Sequence, residues 1–133
     1  MKRKRILLVE DDETLVTSFQ MILQKGGYHV ETTTTGQQAL ERAKKTDFQL
    51  AILDISLPDI QGPEVASHLK KQDDNIGLVF ITGHPTFNDC IQALDIGIDE
   101  ILLKPIGANE LLRVTKETLS RKKNSHSRAH FSF

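Results

Sequence analysis

Tryptophan is absent from this 133-residue chain, tyrosine occurs once (Tyr28) and cysteine once (Cys90). A lone cysteine forms no internal disulfide, and no cysteine–histidine cluster has the spacing of a structural zinc site. Long apolar runs are missing as well. None approaches the roughly 18 residues that a membrane span needs. The basic start, Met1 to Arg5, leads into a short apolar run that is too brief for a secretory signal. The default expectation is therefore a soluble chain in the cytoplasm. What remains is ordinary for one globular domain: 38% apolar and 26% charged residues.

The formal net charge of -1 conceals an asymmetry. Lys2, Arg3, Lys4 and Arg5 open the chain, and Arg121, Lys122, Lys123 and Arg128 lie near its end. Between Ile6 and Ser120, nine basic residues face all 18 acidic ones, a formal charge of -9. A body so acidic is a poor nucleic-acid binder, and the basic ends read as solvated tails.

Ile6 to Val9 is continuously apolar, as in a strand covered on both faces, and Glu10-Asp11-Asp12-Glu13 follows it. Leu15, Phe19, Ile22 and Leu23 then recur at helical spacing until Gly26-Gly27. Tyr28 to Thr34 is polar and β-branched, as in an edge strand. Thr35 caps a predicted helix through Lys45, with Ala39, Leu40 and Ala43 facing inward. Phe48 to Leu53 forms a further strand ending at Asp54, and Gly62-Pro63-Glu64 opens a helix with Val65, Ala66 and Leu69 inside.

Ile76 to Ile81 is a buried strand ending at Thr82-Gly83. Pro85 opens a helix whose expected inner residues are Phe87, Cys90, Ile91 and Leu94, closed at Ile96-Gly97. Glu100 to Leu103 is the last strand, ending at Lys104-Pro105. A final helix is expected from about Asn109 to Leu119, with Leu111, Leu112 and Val114 inside, and the rest frayed. Five strands alternating with five helices imply an α/β domain, a parallel sheet covered on both faces.

Open sheets of this kind place their chemistry beyond the carboxyl ends of the strands. Glu10 and Asp11 stand there after the first strand, Asp54 after the third, Thr82 after the fourth and Lys104 after the fifth. If the first and third strands are neighbours, three carboxylates crowd together, and crowding raises their pKa values unless positive charge is near. Mg²⁺ suits such carboxylates together with water and a phosphate oxygen. Lys104 adds a fixed positive charge and Thr82 a hydroxyl donor. Asp12 and Glu13 read as acids at a helix N-terminus. His84 reads as a rim residue and Cys90 as core.

Four pieces in order, ILLVEDDE at 6–13, ILDISLPDIQG at 52–62, FITG at 80–83 and GIDEILLKP at 97–105, resemble the receiver domain of two-component response regulators. The resemblance implies a doubly wound (βα)5 domain over residues 1–120 with a flavodoxin-like sheet order of 2-1-3-4-5, followed by a flexible basic tail over 121–133. It implies that Asp54 accepts a phosphoryl group from a phosphohistidine on a histidine kinase or histidine phosphotransfer protein, and that the same site later hydrolyses it. Asp11 and Asp54 would hold Mg²⁺ with Glu10 assisting through a water, and the Ser56 carbonyl would complete the protein ligands. Thr82 would bind a phosphoryl oxygen. Lys104 would pair with Asp54 and then with the phosphoryl group, and its bond to Pro105 would be cis. Gly83 would leave room beside the phosphoryl group. A downstream protein target, and a homodimer through the fourth helix, fifth strand and fifth helix, are further expectations of the family.

Two positions depart from the family pattern. Ile101 stands where an aromatic residue commonly couples to the threonine, which opens the alternative of a binding module that works without phosphorylation. Pro63 replaces a more usual apolar residue and reads as a rigid helix cap. After Leu119, 14 residues remain, too few for an effector domain, so a stand-alone receiver and one domain of a longer protein both stay open. Phe131 and Phe133 offer a weak anchor for a partner. A flavin- or nucleotide-binding protein is disfavoured because Glu10, Asp11 and Asp12 occupy the turn where a phosphate loop would need glycines. A metal-dependent hydrolase ranks below the switch, for no dedicated water-activating base is evident.

Overall fold

The computed structural model describes residues 2–123. Its elements alternate: β1 (Arg5–Val9), α1 (Glu13–Lys25), β2 (His29–Thr33), α2 (Gly36–Lys45), β3 (Leu50–Asp54), α3 (Gly62–Gln72), β4 (Gly77–Thr82), α4 (Phe87–Ile96), β5 (Glu100–Leu103) and α5 (Ala108–Lys123). The five strands form one parallel sheet in the order β2-β1-β3-β4-β5, with the polar β2 at an edge. This is the flavodoxin-like strand order that the resemblance implies.

Continuous apolarity in β1 has the expected cause. Leu7 and Val9 enter one core with Ala39, Ala43, Val65, Ala66 and Leu69 of α2 and α3. Ile6 and Leu8 enter the other, with Phe19 and Leu23 of α1 and Leu111 and Val114 of α5. Because successive side chains of a strand point to opposite faces, both sets of residues must be apolar.

Local signals set the helix ends. Asp12 caps α1, accepting the N–H groups of Thr14 and Leu15. Thr35 caps α2 through the Gln38 N–H. Pro63 lies in the first turn of α3, where its missing N–H costs nothing. Thr86 and Asp89 form a reciprocal capping box on α4, and Gly97 ends that helix at φ 90°, a conformation that favours glycine.

Two expectations are corrected. The first concerns α4. Phe87, Ile91 and Leu94 are not inner residues: they are 82%, 42% and 59% exposed. Ala93 is buried instead, with Cys90 and Ile96 packed partly against the core. The helix carries two apolar stripes about a third of a turn apart, and the small one faces the sheet.

The second concerns the end of α5, which continues to Lys123 rather than stopping at Leu119. Lys122 is almost fully buried, and its Nζ lies 3.1 Å from Asp99 Oδ1, while Asp99 Oδ2 accepts the Leu78 N–H at 2.8 Å. The first residues of the expected tail therefore belong to the fold. Arg128, Phe131 and Phe133 lie outside the described residues.

Candidate functional site

The register of the sheet brings the chemistry-bearing residues to one end. Val9 pairs with Leu53 across β1 and β3, so Glu10 and Asp54 leave their strands side by side. Asp54 pairs with Ile81, one residue before Thr82. Thr82 in turn pairs with Leu103, and the Lys104 N–H donates to the Thr82 carbonyl at 2.8 Å. The Lys104–Pro105 bond is cis.

Carboxylate oxygens of Glu10, Asp11 and Asp54 lie within 4.8 Å of one another. Glu10 and Asp54 are buried, whereas Asp11 is exposed. Lys104 reaches into this group, its Nζ 2.7 Å from Asp54 Oδ2 and 2.8 Å from Glu10 Oε1. Lys104 is thus shared between two carboxylates, one oxygen of each. Glu10 Oε2 accepts the Asp12 N–H at 3.1 Å. The other Asp54 oxygen, Oδ1, accepts the Ser56 N–H at 2.8 Å.

Burial raises Glu10 from 4.5 to about 7; Lys104 and the Asp12 N–H oppose the shift, and the negative charge of Asp54 adds to it. Burial alone would lower Lys104, but the carboxylates of Asp54 and Glu10 outweigh that effect and hold it above its ordinary value. The pocket is thus short of positive charge. Three clustered carboxylates facing one ammonium are a donor set suited to a hard divalent cation.

Thr82 is buried at the end of β4, and its Oγ1 accepts the His84 N–H at 3.2 Å. Its hydroxyl hydrogen is left to donate elsewhere. A Cβ on Gly83 would meet nothing within 4 Å, so the space beside it is open. Ile101 is fully buried.

Two residues escaped sequence reasoning. Asp59 accepts the Gly36 and Gln37 N–H groups at 2.8 and 2.9 Å, joining the β3–α3 loop to α2. Asp99 anchors Lys122. Neither pairing has a local spacing signal, because the partners lie 22 or more residues apart.

Residues 6–116 match the model of the response regulator receiver domain. The chain belongs to that family. It is 33% identical over 118 residues to the alkaline phosphatase synthesis transcriptional regulatory protein PhoP of Bacillus subtilis, covering 89% of this chain and 49% of that one. With the response regulator SaeR of Staphylococcus aureus it shares 31% identity over 121 residues, 91% of this chain and 53% of the other. The chain thus spans about half the length of the curated relatives it matches.

A CheY-like receiver domain protein from Methanospirillum hungatei superposes with a TM-score of 0.91 at 31% identity, over 94% of this chain and all of that one. The beryllofluoride-activated NtrC4 receiver domain dimer superposes with a TM-score of 0.83 at 29% identity, over 89% of this chain and 98% of the other. Among the described residues of the receiver domain, no helix is long and apolar enough to cross a membrane.

Proposed function

We propose that Asp54 is the phosphoacceptor of a two-component or phosphorelay switch, working with Mg²⁺. The observation that carries this reading is the single ammonium of Lys104 lying against both Asp54 and Glu10. Asp11, Asp54 and the Ser56 carbonyl would hold the ion directly, with Glu10 through a water. When bound, Mg²⁺ supplies positive charge to the oxygens of the phosphoryl group and to Asp54.

The chain's own groups do the rest. Asp54 needs no general base, because its carboxylate is the nucleophile. The Ser56 N–H and the Lys104 ammonium hold one Asp54 oxygen each, which fixes the carboxyl plane. An Asp54 oxygen bonds to phosphorus as the phosphorus–nitrogen bond of a phosphohistidine breaks, and the imidazole leaves with the electron pair. Lys104 then pairs with the phosphoryl group and Thr82 donates its hydroxyl hydrogen to a phosphoryl oxygen. Positioning and charge neutralisation are the main demands of such a transfer. Water later attacks the phosphorus, the bond from phosphorus to the Asp54 oxygen breaks, and inorganic phosphate leaves the restored Asp54 carboxylate.

The donor would be a histidine kinase or histidine phosphotransfer protein in the cytoplasm, and the output a downstream protein. The exposed Phe87, Ile91 and Leu94 of α4 would serve that output or a homodimer. The receiver unit would extend through Lys122, whose side chain belongs to the fold. A binding module independent of phosphorylation is not favoured, because the acids, threonine and lysine are all gathered at one end of the sheet.

Incubation with acetyl phosphate, with and without Mg²⁺, tests the reading by intact-protein mass. A Mg²⁺-dependent phosphoryl gain that Asp54→Asn abolishes is expected. No gain, under conditions that label a control receiver, would sink it.

A further inference from the structure

The loop after Asp54 is closed at its base. The Gly62 N–H donates to the Ile55 carbonyl at 2.8 Å. A Cβ on Gly62 would collide with the Asp54 carbonyl oxygen and come within 2.8 Å of Ile55 Cα, so only glycine lets the two ends of the loop approach this closely. Between these ends, Leu57 is buried in the core and Ser56 is exposed. Burial of Leu57 holds the loop down but does not orient it, because the hydrophobic effect is non-directional.

Direction comes from Asp59. Its two carboxylate oxygens accept the Gly36 and Gln37 N–H groups separately, at 2.8 and 2.9 Å. These are orphan donors of the first turn of α2, where negative charge is also favoured by the helix dipole. Thr35 already serves the next donor, Gln38 N–H, at 3.1 Å. The N–H of Gln37 chiefly, with those of Gly36, Ile60 and Asp59 itself, holds the Asp59 carboxyl below its ordinary value, so the tether is ionised at neutral pH. Contact beneath it is close: a Cβ on Gly36 would lie 2.8 Å from Val65 Cγ2 and 3.1 Å from Ile60 Cβ. The far side of the loop is therefore tied to α2 by two directed bonds, and Ser56 sits between that tie and Asp54.

We propose that Asp59 is a positioning residue of the phosphoacceptor loop: by tying the loop to the first turn of α2 it holds the Ser56 carbonyl in place and so sets how tightly the chain binds Mg²⁺. This rests on the phosphoacceptor reading above. Asp59 touches neither the phosphoryl group nor the ion. Its effect is transmitted through the backbone of residues 56–59.

The test is a titration of the unphosphorylated full chain with MgCl₂, followed by the amide NMR shifts of Asp54, Ile55 and Ser56. Asp59→Ala should weaken Mg²⁺ binding by roughly threefold to tenfold, at or below the lower end of what losing support behind a metal ligand costs. Asp59→Asn keeps one acceptor and should fall between Asp59→Ala and the parent. In both variants the Gly36 and Gln37 amides should exchange faster with solvent.

Thr35→Ala is the control, for it removes a cap from the same helix without touching the loop. It should lower the melting temperature and leave the Mg²⁺ midpoint where it was. Should Asp59→Ala not fold, Asp59→Asn carries the comparison. An unchanged Mg²⁺ midpoint in the Asp59 variants, or an equal shift in Thr35→Ala, overturns the inference. If the parent chain takes a phosphoryl group from acetyl phosphate while the Asp59 variants titrate normally, only this inference fails. If the parent neither binds Mg²⁺ nor takes up the phosphoryl group, the phosphoacceptor reading fails with it.

Discussion

Lys104 Nζ lies 2.7 Å from Asp54 Oδ2 although 50 residues of chain separate the two. The same ammonium lies 2.8 Å from Glu10 Oε1, so a single side chain from the end of β5 compensates the acids at the ends of β1 and β3. Removing it should act on folding and chemistry together. Lys104→Met should lower stability by about 1–3 kcal/mol at pH above neutrality, because Glu10 is left buried without its counter-charge. It should also slow labelling by acetyl phosphate at saturating Mg²⁺. Urea unfolding and mass-detected labelling measure the two effects; unchanged values in both would remove the central role of this lysine.

Glu10 gives a pH dependence of definite sign. Burial raises its folded-state value from 4.5 to about 7. Between those values the folded chain binds more protons at Glu10 than the unfolded chain does. This group therefore makes stability fall as pH rises from 4.5 to about 7, and its effect levels off above. Thermal melts in the presence of a chelator should show the decline, and Glu10→Gln should flatten it. Added Mg²⁺ should reduce it by supplying the missing positive charge. A rise in stability across that window attributable to Glu10 would contradict the desolvated placement of this carboxyl.

Thr82 separates a hydroxyl from a mere strand-end residue. Its Oγ1 accepts the His84 N–H, and its own hydrogen remains to be donated. Thr82→Ser keeps that donor, whereas Thr82→Ala removes both functions. The alanine variant should still be labelled on Asp54 but about tenfold more slowly, less than the loss seen when a preorganised donor is removed from an enclosed oxyanion site. The serine variant should stay near the parent rate. Equal rates in all three chains would leave Thr82 with a structural role only.

The α4 stripe shows where sequence patterning runs out. In β1 the alternative faces were both apolar, so continuous apolarity was sufficient to identify a central strand. Strand-end chemistry was equally legible, because Asp54, Thr82 and Lys104 each directly follow or close an apolar run. In α4, spacing identified apolar residues at 87, 91 and 94 but carried no information about which side of the helix the sheet would cover. Ala93 makes the buried contact, and a lone small residue has no signature. Pairing across long separations was invisible for the same reason: Asp59 and Asp99 look like ordinary turn acids until folding brings their partners to them.

Phe87→Ser and Leu94→Ser accordingly should change stability by no more than about 0.5 kcal/mol, as at other surface positions. Ala93→Leu should destabilise by about 1–3 kcal/mol through overpacking. Chemical denaturation of the three variants checks this reversal. Large losses in the serine variants would restore Phe87 and Leu94 to the core.

The pair of Lys122 and Asp99 bears on where the folded unit ends. The pair lies toward the amino-terminal end of β4, away from the acidic pocket, with Asp99 Oδ2 also accepting the Leu78 N–H. Both side chains are nearly inaccessible, at 8% and 3% exposure, and Lys70 is close enough to feel both charges. Lys122→Ala should therefore cost about 1–3 kcal/mol, less than breaking an isolated buried pair, because Asp99 keeps the Leu78 N–H and the Lys70 charge nearby. A chain truncated after Ser120 should lose at least as much, since it lacks the same ammonium. Labelling of Asp54 by acetyl phosphate should proceed at the parent rate in whatever fraction of either chain is folded, because the pocket's own contacts involve neither residue. Denaturation midpoints that match the parent after truncation would return the boundary of the domain to residue 120 and make residues 121–123 a dispensable extension of α5.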